Sequence, residues 1–133
     1  MTGKDFATYL ALAYQVSYHA GLTLRDACTD YHTSRAWTAA GVAAVTARIL
    51  SCDPVQIHEL AGIREYHDPH NQMMRCIDHP TMVQDGVGWD APTDITAGFL
   101  AKNGFTSAPA VTCKGPHWDR LQNTWKFGHR HTF

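Results

Sequence analysis

The chain has no C-x-x-C pair: its four cysteines, Cys28, Cys52, Cys76 and Cys113, stand far apart in 133 residues. That spacing argues against a zinc ribbon or an iron–sulfur run and fits reduced, buried thiols. No apolar run approaches the ~20 residues that a membrane-spanning helix needs. The opening MTGKDFATYL lacks the basic-then-apolar layout of a signal peptide. A cytoplasmic protein without a membrane partner is therefore expected. Charge of one sign is missing too, and a formal net charge of -1 gives no electrostatic reason to expect nucleic acid. There is no G-x-S-x-G elbow and no P-loop, and GVGWDA lacks the third glycine of a dinucleotide fingerprint. Period-two alternation of apolar residues is almost absent, which excludes a sheet-dominated fold.

What is present reads as helix. Hydrophobic residues make up 44% and charged residues 17%, a globular balance, and 133 residues suffice for one core. In the first segment Phe6, Leu10, Ala13, Val16 and Ala20 recur at helical intervals, with Gly21 as the expected stop. A second helix is expected from about Ser34 to Leu50. Trp37, Ala40, Gly41, Ala44 and Val45 form its apolar side, and Ala36, Ala39, Ala43 and Ala47 keep the rest thin. Such a slim helix suits the centre of a bundle, and Gly41, which costs ~1 kcal/mol against Ala, marks a close approach. After a turn at Ser51 and Cys52, Asp53 caps a third helix. Pro54 is its first residue, Gln56 closes a capping box, and Ile57, Leu60 and Ala61 face the core until about Tyr66. Residues 68–88 are loop-like, with one helical turn available in NQMMR. A fourth helix runs from Ala91 to Lys102, capped by Asp90, with Ile95, Phe99 and Leu100 inward and a stop at Asn103-Gly104. An extended piece and one further turn in HWDRLQNTW complete an all-α chain: a helical region over 1–112 and an irregular tail over 113–133.

Three groups of residues offer chemistry. His32, with Thr33 and Ser34, precedes the Ala-rich helix, where exposed amides favour anions and disfavour an imidazolium. That histidine is either a neutral proton acceptor beside a carboxylate or an incidental ring in a capping turn. Arg75, Asp78, His79, Gln84 and Asp85 share one interhelical segment, where an Arg can fork onto a carboxylate and a His can handle a proton. The alternative is a polar surface loop. His67 with His70 and His129 with His131 lack a complete ligand set, so no metal is expected.

Two stretches carry a resemblance. YHTSRAWTAAGVAAVTARILSCDPVQIHELAGI and MMRCIDHPTMVQDGVGWDAPTDITAGFLAKNGFTSAPA together resemble the MmgE/PrpD family, over roughly residues 3–125. That family includes 2-methylcitrate dehydratase, cis-aconitate decarboxylase and iminodisuccinate epimerase. The resemblance implies a helical domain beside a smaller α/β lid, and proton transfer next to a carboxylate without metal or cofactor. It puts His32 on the family's active-site histidine. It also puts Gln84 where the family has a lysine, and Gln can hydrogen-bond a carboxylate but supplies no charge. Thr33, Ser34, Arg75, Asp78, His79 and Gln84 are then the expected substrate-binding residues, and a small di- or tricarboxylate is the expected ligand. Relative to the family this chain begins inside the helical domain and stops before the lid. Weak or absent activity in isolation is expected; the alternative is a non-catalytic remnant whose bare helical faces drive association into a homo-oligomer, a dimer.

Overall fold

A computed structural model describes residues 1–27, 35–67, 72–82 and 86–110. All five regular elements among them are helices: α1 (Gly3–Ala27), α2 (Arg35–Ile49), α3 (Pro54–His67), α4 (Met74–Asp78) and α5 (Val87–Lys102). The chain is all-α, as expected. The tail over 113–133 and the turn in HWDRLQNTW lie outside the described residues. None of the described helices is long and apolar enough to cross a membrane.

Local chemistry sets the helix ends. At α1 the Asp5 amide donates to Thr2 Oγ1 (3.2 Å), while the Asp5 carboxylate accepts from the Thr2 amide (2.7 Å) and the Thr2 hydroxyl (2.8 Å). Those bonds, the backbone one foremost and then the hydroxyl, hold the Asp5 carboxyl below its ordinary 3.8. A depressed carboxylate stabilises the fold above its unfolded pKa, and the contribution is lost as pH falls through the folded value. The expected capping box at α3 is present. The Gln56 amide donates to Asp53 Oδ1 (2.8 Å), and the Asp53 amide donates to Gln56 Oε1 (3.0 Å). Between α2 and α3 the chain turns at Ser51, whose φ of 50° is left-handed, and the Cys52 amide returns to the Ala47 carbonyl at 2.9 Å. α5 stops as expected. Gly104 takes φ 84°, and the Phe105 amide reaches back to the Leu100 carbonyl at 3.0 Å.

α2 is central: it packs on α1, α3 and α5. Small residues make this possible. A Cβ on Gly41 would strike Ser17 Oγ and the Ala13 carbonyl of α1, and one on Gly98 of α5 would strike the Thr46 methyl of α2. The buried hydrophobic cluster is correspondingly slim: Ala43, Ala47, Leu60, Ile63, Ala97 and Ala101, with Cys52 and Leu100 against it. Beyond α5, the Ser107 amide donates to Glu59 Oε2 at 2.6 Å, which ties the extended residues after Gly104 to α3.

Several expectations based on large apolar residues are corrected. Gly21 does not stop α1; the helix continues to Ala27, and Gly21 lies against the Trp37 ring instead. Phe6, Leu10, Ile57, Ile95 and Phe99 are exposed rather than inward. α5 begins at Val87, not Ala91, so Asp90 is no cap; it is buried on the inner face with Asp94, Ala97, Gly98 and Ala101. The physical reason is shared. Helices that approach through Gly and Ala bury their thin sides, which leaves their bulky sides outside.

Two expectations of measurement follow from this geometry. Gly41→Ala gains ~1 kcal/mol of helix propensity but forces α1 away, so a net loss of about 1–3 kcal/mol is expected in urea denaturation. An unchanged or raised midpoint would contradict the close α1–α2 approach. In acid titration below pH ~4, wild type should lose helix-α1 stability that Thr2→Ala lacks from the outset; parallel acid profiles would remove the Thr2–Asp5 box from the account.

Candidate site at one end of the bundle

Pair contacts fix the relative direction and level of every long helix. Across α1 and α2, Gly21 meets Trp37 and Ala13 meets Gly41, so the two run antiparallel. The Ser17 hydroxyl adds a bond to the Thr38 carbonyl at 3.1 Å. Across α2 and α5, Thr38 Oγ1 donates to Asp90 Oδ2, a separation of 52 in sequence. Thr46 meets Gly98 at the same offset, so these two helices run parallel. Across α3 and α5, Gln56 Nε2 donates to the Lys102 carbonyl at 3.4 Å, and Leu60 meets Gly98, so that pair is antiparallel. Lys102 Nζ also donates to the Ser51 carbonyl at 2.9 Å, which bolts the end of α5 to the α2–α3 turn.

These directions gather the C-termini of α1 and α3 and the N-termini of α2 and α5 at the opposite end. Arg35 and Val87, the first residues of α2 and α5, stand level there because the constant offset pairs them. His32, Thr33 and Ser34 belong to the connection between α1 and α2. Arg75, Asp78, His79 and Gln84 belong to the connection between α3 and α5. Both connections leave from and return to that one end. His32, Thr33, Ser34, Gln84 and Asp85 themselves lie outside the described residues.

Of the expected site residues, three can be placed. Arg75 and Asp78 are on α4 and His79 follows it, all three exposed. The His79 amide donates to the Arg75 carbonyl at 3.3 Å, so the short helix sets both side chains one turn apart. Of the expected histidine pairs, His67 alone is described; its Nδ1 is 2.8 Å from the Ile63 carbonyl, and among the described residues no group of three potential ligands forms.

The structure adds residues that the sequence did not point to as part of a site. Beneath the gathered helix ends the core turns polar: Arg64 on α3 and Asp90 and Asp94 on α5 are buried, and half-buried Thr38 of α2 donates to Asp90. Extending the α3–α5 level upward from Leu60 and Gly98 by one turn brings Arg64 level with Asp94. Asp94 is 0% exposed, Asp90 1% and Arg64 5%. Arg64 Nη1 is shielded from solvent and donates no hydrogen bond among the described residues. Buried charges are retained only where partners meet them, because removing a carboxylate or guanidinium from water costs several kcal/mol. The signal that could have found these residues was in α5. Asp90 and Asp94 fall on the same stripe as Ala97, Gly98 and Ala101, the small-residue face, and not on the stripe of Ile95 and Phe99.

Thr38→Val removes the hydroxyl that binds Asp90 while keeping its shape. A loss of about 1–3 kcal/mol is expected in thermal or urea unfolding, with Thr38→Ser near wild type. Equal stability of all three proteins would show that the hydrogen bond does not hold α2 to α5. Compared with family models, curated proteins and solved structures, the chain matches none.

Proposed function

We propose that this chain is the helical part of a dehydratase-like lyase of the MmgE/PrpD kind, acting in the cytoplasm on small di- or tricarboxylates. The observation that carries the reading is topological. All seven residues expected to serve the site belong to two connections that start and finish at one end of the bundle. Two parallel helix N-termini open there, and such termini favour anions. Arg64, in the last turn of α3, adds a buried positive charge beneath that end.

In this reading a base removes a proton alpha to a carboxylate, and an acid assists departure of the beta hydroxyl. His32 transfers the proton, its ring kept neutral by the amides at the start of α2. Thr33, Ser34 and Gln84 hydrogen-bond the substrate carboxylates. Arg75 and His79 meet the charge that grows on the substrate as the aci-carboxylate forms, with Asp78 beside them on the same turn.

A second reading, a self-associating helical module without catalysis, is favoured by the many bulky side chains on the outside, among them Tyr14, Tyr18, Trp89 and Phe99. Titration with cis-aconitate and with 2-methylcitrate, followed through the histidine ring resonances, separates the two. The lyase reading expects the His32 signal to move with either acid, and the binding to be lost in His32→Ala. Binding that survives His32→Ala, or acids that move only His129 and His131, would contradict it.

A further inference from the structure

α1 is held from one side. Among the described residues α2 is the helix on which it lays a face, through Ala13, Ser17 and Gly21. Away from that contact Ala7, Ala11, Tyr14 and Tyr18 stand in one row, all exposed, with Tyr14 at 72% and Tyr18 at 67%. The intervals of four, three and four residues are those of a seam between paired helices. They also read the same in both directions. The side chains do not: two methyls occupy the N-terminal half of the row and two phenols the C-terminal half.

We propose that α1 docks on α1 of a second copy of this chain, antiparallel, about a twofold axis between Ala11 and Tyr14. Ala7 then faces Tyr18 of the partner subunit, and Ala11 faces Tyr14 of the partner subunit. Every layer pairs a small residue with a large one, which is the condition for filling a helix seam without void or overlap. A parallel pairing would set phenol on phenol at one end and leave a gap at the other. The grading identifies the occupant. A twofold pair presents the same surface from both sides, and a row that is large where its own reverse is small complements itself.

The area is consistent with a reversible pair. Tyr14 and Tyr18, flanked by Leu10 and Leu22, offer roughly 500 Å² per copy on the scale of aromatic burial. A standard interface buries about 800 Å² per partner, and weak encounters bury less. This inference rests on the self-association reading and not on the carboxylate site.

The test is sedimentation of the full chain over a concentration series. Wild type is expected to show a monomer–dimer equilibrium. Ala11→Tyr overfills its layer and Tyr14→Ala empties it, so each should weaken association about tenfold or more, a change of ~1.4 kcal/mol per tenfold. The double variant exchanges small and large across the axis and should recover association to within about threefold of wild type, or ~0.7 kcal/mol. Both positions are exposed, so helicity and melting temperature of the monomer should hold in all variants. A wild-type chain that stays monomeric throughout, a Tyr14→Ala variant that associates as before, or a double variant no better than its single parents would overturn the proposal. Acid binding at His32, measured on monomeric Ala11→Tyr, stands or falls separately.

Discussion

Close backbone approach is the constraint on which the rest of this structure depends. α2 can touch three helices because a small residue stands on one side of its closest contacts, as Gly21 does against the Trp37 ring. Gly41 admits the α1 backbone, and Thr46 fits where Gly98 has no side chain. Dispersion falls steeply with distance, so many short contacts at small separation replace the fewer contacts of large side chains. The same arrangement makes the bundle intolerant. A methyl group added at Gly41 meets the Ala13 carbonyl, which cannot swing aside as a flexible side chain would.

Closeness also fixes level. Because Thr38 meets Asp90 and Thr46 meets Gly98, α2 and α5 hold one register along their length. That register aligns their N-termini, and the antiparallel α1 and α3 bring their C-termini to the same place. The core divides accordingly. Around Ala43, Ala47, Leu60 and Ala101 it is apolar but for Thr46, and the Lys102 ammonium on the Ser51 carbonyl closes that end. Toward the gathered termini it carries Arg64, Asp90 and Asp94, with half-buried Thr38 bonded to Asp90. Such buried charge costs stability unless it is met.

Much of the scaffold was legible in the sequence. Capping chemistry is local, so the Asp53–Gln56 box, the turn at Ser51 and Cys52 and the stop at Asn103-Gly104 could be read from neighbouring residues alone. Gly41 could be read as a close approach because a glycine in mid-helix has a cost that only packing offsets. The inward faces of α1 and α5 were not legible by the same means. Pattern reading assigns the core to large apolar residues, and Phe6, Leu10, Ile95 and Phe99 obey the helical interval while pointing outward. Tertiary closeness overrode the pattern. The start of α5 was missed for a related reason: Asp90 has the chemistry of a cap, but Thr38 on another helix binds it, and nothing local announces a partner 52 residues away. At the candidate site the sequence picked out residue types suited to carboxylates, and only the fold brings their two connections to one end.

The account is tested most directly by the contact on which the α2–α5 register depends. In a nuclear Overhauser spectrum of the folded chain, the Thr46 methyl should show strong cross-peaks to the α protons of Gly98, and the Trp37 ring to those of Gly21. Cross-peaks from Thr46 to Ile95 or Phe99 in place of Gly98 would mean that α5 presents its bulky side to α2. The slim core, the aligned helix ends and the site built on them would then be wrong together.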